Sequence, residues 1–289
     1  MNLKNKLNLG VLFFIISLYG CENDSTPSDA IEPAVKLALT TKTFTISQII
    51  SAVVVEREVI IQTPNIINST KNYPLVFAFH GNGGNNKSWI NSLKSFTDRG
   101  DFVGIYPQGY LNSWNLGVEK SKADDLAFVN LIITELRKYQ NLNFDKMYAL
   151  GTSNGAAMTN ELALKTTHFK AIAPIVSQLL QKQTTNATTN PVSVYQVNGA
   201  LDPTIPISGG NAVGHVFLSA EGSAVWWATQ FKCATSFETE TIGLNTLKIY
   251  KNCDSSKEVR YYRLENGTHN IFPEDPLIYN KIWEFFNRF

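Results

Sequence analysis

Charge of one sign is what this chain has least of. Across 289 residues, 25 Lys and Arg stand against 24 Asp and Glu, a formal net charge of +1. A dedicated nucleic-acid binder would carry a basic patch or a high pI, and no long block of like charge is present to supply one. No internal repeat divides the chain. The apolar stretch near the start falls short of the roughly 20 residues that a comfortable membrane span needs. Cysteine is limited to Cys21, Cys233 and Cys253, an odd number for an exported protein. What is plentiful is core-forming material: 44% hydrophobic against 17% charged residues, enough for one large α/β domain or two small ones. Composition thus leaves an enzyme or a binding domain and does not choose.

Lys4 and Lys6 precede the apolar residues 9–18, which end in Leu18-Tyr19-Gly20-Cys21. A positive start, a short apolar centre and a small residue at the cleavage position mark residues 1–20 as a secretory signal. Cys21 directly after Gly20 resembles a bacterial lipobox, in which the cysteine is lipidated and becomes the mature N-terminus. Tyr19 departs from that pattern, because its position is usually small, and an ordinary signal with an incidental cysteine is the competing reading. The protein is therefore expected to be exported, either lipid-anchored in the periplasm or at the cell surface, or secreted. That lipid would be its membrane contact. Residues 21–40, with Asp24, Ser25, Pro27, Ser28 and Pro33, are expected to be a flexible tether leading to a folded domain at 41–289. If Cys21 carries lipid, Cys233 and Cys253 remain as a pair. Closing their loop of about 20 residues stabilises by roughly 3 kcal/mol on the chain-entropy model. Two free buried thiols are the alternative, disfavoured in an oxidising compartment.

Further along, residues 44–46 and 52–61 are β-rich and suggest an antiparallel edge. Residues 74–79 (Pro-Leu-Val-Phe-Ala-Phe) form the continuous apolar run expected of a strand buried on both faces, and end in His80-Gly81-Asn82-Gly83-Gly84. Other strands are expected at 102–106, 146–150, 171–176, 192–197 and 257–264, with helices at 124–139, 156–165, 219–231 and 276–289. Strands alternating with helices imply an α/β fold with a mostly parallel, doubly wound sheet. In such sheets functional loops gather at the carboxyl ends of the strands, and His80, Ser153, Asp202 and His269 each follow a strand end.

One of these positions has a recognisable local chemistry. Gly151-Thr152-Ser153-Asn154-Gly155 matches the G-x-S-x-G nucleophile elbow in the strand–turn–helix setting the motif requires. A turn this sharp brings strand and helix backbones together, so a side chain two residues either side of the serine would collide. The turn lifts Ser153 Oγ out of the sheet at a helix N-terminus, where backbone N–H groups face an incoming anion. The order Ser153, Asp202, His269 is that of the α/β-hydrolase triad. Serine needs a base, imidazole serves near neutral pH, and a carboxylate fixes its tautomer. Asp254 rivals Asp202 on order alone, but sits beside the cysteine pair and follows no expected strand. His80, His168 and His215 compete with His269, yet only His269 follows the last strand. The oxyanion hole is expected from the amides of Asn154 and of Gly81 or Asn82, with His80 as an anchor for that loop. Asp124 and Asp125 open a helix, where acidic residues suit the macrodipole.

The chain resembles the secreted esterases grouped with polyhydroxybutyrate depolymerases and the feruloyl and acetylxylan esterases. The matching stretches are Phe79 to Gly84, Tyr106-Pro107-Gln108-Gly109, Ser113-Trp114-Asn115, Asp124 to Val129, the elbow, Asn198 to Pro206 and Gly267-Thr268-His269. Cys233 and Cys253 are also placed like that family's late disulfide. The resemblance covers residues 44–289. It implies a single α/β-hydrolase domain, ester hydrolysis by Ser153, Asp202 and His269, and neither metal nor cofactor. Asn266-Gly267-Thr268 and Asn270-Ile271-Phe272-Pro273 depart from the family's usual surroundings of the histidine, which bears on substrate rather than on the triad. Trp114 is a candidate substrate-binding residue, stacking on a sugar or an aromatic acyl group, with a core tryptophan as the competing reading. The expected substrates are esters linked to polysaccharide or polyester oligomers. A peptidase of the same fold and a catalytically idle surface binding protein are the alternatives.

Overall fold

The computed structural model describes residues 35–289. The expected signal over 1–20, the candidate lipidation site Cys21 and most of the tether lie outside the described residues. Lys36–Phe289 form one compact unit. The chain joins it earlier than the tether expectation allows. Leu37 accepts from the Gln140 amide and donates to Lys138 O at 2.8 Å, and Leu39 is buried. Residues 37–40 are therefore part of the fold, held by backbone pairing and an apolar anchor.

Strands β1 (Lys42–Ile50) and β2 (Val53–Gln62) form an antiparallel hairpin. There follow β3 (Tyr73–Phe79), α1 (Ser88–Arg99), β4 (Val103–Pro107), α2 (Asp125–Leu136), β5 (Leu142–Thr152), α3 (Asn154–Lys165), β6 (Ala171–Ile175) and β7 (Ser193–Gly199). A short hairpin of β8 (Gly210–Ala212) and β9 (His215–Phe217) precedes α4 (Ala220–Gln230). Then come β10 (Glu238–Ile242), β11 (Asn245–Cys253), β12 (Lys257–Leu264) and α5 (Ile278–Phe286). The ten-stranded sheet runs β1-β2-β4-β3-β5-β6-β7-β12-β11-β10. Its centre, β4 to β12, is parallel, and both edges are antiparallel.

The fully apolar β3 shows why the sheet needs helices on both faces. Leu75, Phe77 and Phe79 point into the core under α2, α3 and α4, whereas Val76 and Ala78 point into the core under α1 and α5. Alternation of side chains about a strand sends successive residues into opposite layers. Three features were not expected from the sequence: α1, the β8–β9 hairpin and the β10–β11 edge. Helix α1 starts in a polar stretch with no side-chain cap, so nothing announces it. The β10–β11 edge is also unforeseen, because every residue of β10 is exposed and it has no apolar pattern. Asp254 does follow a strand, contrary to expectation. That strand is antiparallel and ends where parallel β12 begins, at Cys253 opposite Lys257. Asp254 thus lies at the end of the sheet away from the carboxyl ends of the parallel strands. Cys233 and Cys253 form a disulfide, tying the segment after α4 to the end of β11.

One buried ion pair links the N-terminal hairpin to the parallel core. Arg57 of β2 contacts Asp125 of α2 at 2.7 Å, with both side chains almost inaccessible to solvent. The guanidinium also donates to Gln48 Oε1 and to Gln108 O and lies 3.6 Å from the centroid of the Phe128 ring. Asp125 in turn accepts the Asn115 amide at 2.7 Å. Burial is the larger influence on both groups, lowering the pKa of Arg57 and raising that of Asp125 against the attraction of the pair. Such a pair adds little net stability over apolar residues of similar volume, but removing one partner leaves a buried charge uncompensated. Arg57→Ala should lower unfolding free energy by about 3–5 kcal/mol. The double variant Arg57→Met/Asp125→Leu should lose much less, as read by urea denaturation.

Candidate active site

The elbow depends on backbone contacts too close for any side chain. A Cβ on Gly151 would lie 2.2 Å from Gly155 O, and one on Gly155 would lie 2.2 Å from Phe79 O and 2.6 Å from His80 O. The end of β5, the start of α3 and the end of β3 therefore touch through their main chains. Between the two glycines Ser153 adopts φ 55, ψ −119, a conformation that costs a non-glycine residue on the order of 1–3 kcal/mol. Its amide is held by Ile175 O at 2.9 Å.

A second close crossing aligns the acid and the base. Parallel pairing of β7 with β12 continues to Gly199 opposite Leu264. Beyond it, the Ala200 amide donates to Leu264 O and the Leu201 amide to Gly267 O, both at 2.8 Å. A Cβ on Gly199 would lie 2.4 Å from Gly267 O, so the loops carrying Asp202 and His269 leave the sheet in backbone contact. Asp202 Oδ1 accepts the amides of Thr204 and Ile205, at 2.8 and 3.0 Å. This leaves Oδ2 for His269 Nδ1 at 2.7 Å, and His269 Nε2 stands 2.9 Å from Ser153 Oγ. The Asp202 side chain is buried while that of His269 is 27% exposed. A fixed carboxylate, a reachable imidazole and a hydroxyl in line can move a proton from serine to histidine and on to a leaving group.

Asn82, Ser153, Asn154 and His269 share one cavity of about 670 Å³. Among the described residues, no backbone carbonyl takes the Gly81 or Asn82 amide hydrogen. A Cβ on Gly81 would sit 3.5 Å from Ser153 Cβ, which places this loop against the serine. The Asn154 side chain is engaged by the loop that follows β4. Its Oδ1 accepts the Trp114 amide at 2.7 Å, and its Nδ2 donates to Trp114 O and to Glu119 Oε1. The Asn154 amide, first in α3, has no partner within the helix.

The structure contradicts the substrate-binding expectation for Trp114. Its side chain is fully buried, packed edge-on against Phe79 at 5.1 Å, and its Nε1 donates to His80 O at 2.8 Å. It supports the Gly81–Asn82 loop from below. His80 holds the same loop from within. Its Nδ1 lies 2.8 Å from Gly81 O and its Nε2 accepts the Gly109 amide at 3.0 Å, and burial lowers its pKa, favouring the neutral ring these bonds require. Asp124 caps α2 by accepting the Ala127 amide. His168 meets Asn130, away from the cavity.

Sequence reasoning offers no role for Glu119 and weighs His215 only as a rival base, yet both line the cavity. Glu119 Oε2 accepts the amides of Leu116 and Val118, while Oε1 accepts from His215 Nε2 at 2.7 Å and from Asn154 Nδ2 at 3.2 Å. Burial would raise the Glu119 carboxyl, but the His215 bond and the backbone amides outweigh it and hold the group below its usual value. No local motif announces two residues 96 positions apart.

The glycines give a direct test. Gly155→Ala should lose about 3 kcal/mol or more of stability, because its methyl meets backbone that has nowhere to move. Gly81→Ala, whose methyl would make ordinary contacts, should fold with a loss below about 1 kcal/mol. Urea unfolding of the two variants side by side reads the contrast.

No protein-family model matches the chain. A probable feruloyl esterase C of Aspergillus flavus is 23% identical over 242 residues, 80% of this chain and 84% of that protein. A bifunctional acetylxylan esterase/xylanase of Neocallimastix patriciarum is 23% identical over 244 residues, 79% of this chain and 33% of that protein. Among solved structures, an acetyl xylan esterase from Aspergillus awamori has a TM-score of 0.61 and 15% identity, covering 85% of this chain and 99% of that one. In fold the chain is an α/β-hydrolase, and in sequence it is similar to the feruloyl and acetylxylan esterases.

Proposed function

We propose that the protein is an exported serine esterase that cleaves carboxylic esters through an acyl-enzyme, with feruloyl or acetyl groups on polysaccharide as its substrate class. The observation that carries this reading is the relay from Ser153 Oγ to His269 at 2.9 Å and from His269 to Asp202 at 2.7 Å, opening on a cavity. Ser153 Oγ attacks the ester carbonyl as His269 takes its proton. The developing oxyanion is held by the Asn154 amide and by that of Gly81 or Asn82. Collapse of the tetrahedral intermediate expels the alcohol, which receives the proton from His269. Water, deprotonated by the same imidazole, then releases the acid and restores Ser153. Asp202 keeps the imidazole in the required tautomer and stabilises its charged form.

A volume of about 670 Å³ lies within the range of small-molecule sites and has room for an aromatic acyl group. The similarity to feruloyl and acetylxylan esterases favours ester over peptide bonds. The Cys233–Cys253 bridge supports an oxidising, exported setting. Residues 1–20 as a signal and Cys21 as a lipid anchor complete the reading.

Ser153→Ala should lower kcat on a chromogenic acetate ester by about 10⁴-fold or more, and Asp202→Asn by about 10⁴-fold. Wild type should label with a fluorophosphonate and Ser153→Ala should not. Full activity of the alanine variant would sink the proposal. Product analysis on feruloylated and acetylated xylan beside a hydroxybutyrate oligomer identifies the ester, with release of the xylan-bound acid expected.

A further inference from the structure

Beside the catalytic cavity lies a second one of about 450 Å³, which Gln181, Lys182 and Val216 help to line. Val118, Leu180 and His215 face both cavities and so form the wall between them. That wall is made from segments far apart in sequence. The loop carrying Val118 is folded by Glu119, whose carboxylate takes the Leu116 and Val118 amides. The segment after β6 meets the β8–β9 hairpin through a Leu180–Phe217 bridge and the Gln181 amide donating to Val216 O. The Lys182 ammonium donates to Leu116 O, joining the first segment to the second. The Glu119–His215 contact at 2.7 Å joins the first to the hairpin. Both side chains of that pair are about nine-tenths buried, at 6% and 10% exposure, although they border open space.

The wall also has a defined direction relative to the chemistry. His269 approaches Ser153 from the β12 side of the sheet and must hand its proton to the leaving alcohol. The Glu119–His215 pair instead stands over the first turn of α3, bonded to Asn154 and sharing the cavity wall with Ala157. An acyl group held away from the leaving alcohol would run towards this pair.

Resting on the esterase reading above, we propose that the Glu119–His215 pair is a specificity-determining partition that closes the acyl end of the catalytic cavity against the neighbouring one. It limits the acyl group to what the first cavity holds. The backbone joins the Leu180 segment to the hairpin, and the side chains of Val118 and His215 fill the wall between the cavities, so truncating one of them joins the two.

The test is kcat/KM for p-nitrophenyl acetate, butyrate and octanoate with wild type, His215→Ala, His215→Gln and Val118→Ala. His215→Ala should raise the octanoate-to-acetate ratio by about tenfold or more, the discrimination that a few methylenes in an apolar site supply. His215→Gln keeps most of the bulk and a donor towards Glu119, and should leave the ratio within about twofold of wild type. Val118 is 53% exposed, so Val118→Ala opens the same wall from a position whose truncation does not threaten folding, and should shift the ratio in the same direction. Unchanged ratios in His215→Ala and Val118→Ala, with wild type active on acetate, overturn the partition and leave the esterase reading standing. A gain seen instead with acetates of longer alcohols overturns the assignment to the acyl side. Wild type inactive on every ester and unlabelled by a fluorophosphonate overturns both readings.

Discussion

The site rests on the place where three main chains meet without side chains between them. Gly155 of α3 lies against Phe79 O and His80 O, and Gly151 of β5 lies against Gly155 O. That contact fixes the height and direction of the turn, and the turn forces Ser153 into its positive-φ conformation. Strain at one serine is sustained because the surrounding contacts over-determine it. The same contact brings the end of β3 against the elbow, so Ser153 and the expected oxyanion donors are positioned by one packing event. Gly199 against Gly267 repeats the device for Asp202 and His269. In both cases the absence of a Cβ sets a distance between reacting groups.

Such close crossings need a rigid foundation, and it is largely polar. Gln108 gathers several of the strands of that support. Its backbone carbonyl receives Arg57, its Oε1 accepts the Asn86 amide at 3.0 Å, and its Nε2 reaches towards His80 and Asn112. Trp114 closes the group through His80 O. Buried polar groups are costly when unpaired and rigid when satisfied, and here most partners belong to loops at the carboxyl ends of β3 and β4. The loop beside Ser153 is thus held by His80 below, Trp114 behind and the Arg57–Asp125 pair further out.

What could be read from the sequence follows from how local each signal is. The strand 74–79 is legible because burial on both faces demands an unbroken apolar run. The relation of Ser153, Asp202 and His269 is legible because each follows a strand, and a parallel sheet delivers all such ends to one side. Trp114 is ambiguous in sequence because an aromatic in a loop suits a binding site or a core equally, and only the fold shows its indole turned inward to His80 O. Asp254 does follow a strand, β11, yet the antiparallel direction of β11 carries it to the other end of the sheet. Glu119 and His215 carry no local signature. Their meeting depends on a hairpin and a loop whose approach is decided by tertiary packing.

A division of labour follows from these origins. The reacting groups hang from strand ends and glycine crossings, where a displacement of a few tenths of an ångström meets backbone. Those positions tolerate little change, and they are the ones that motif reading recovers. The cavity walls come from excursions between strands: the loop of Val118 and Glu119, the segment of Leu180 and Lys182, and the β8–β9 hairpin. These join through side-chain bonds such as Glu119 to His215 and Lys182 to Leu116 O, which can be replaced without moving a strand. The cavity walls are therefore the parts of the site that have the least sequence signature.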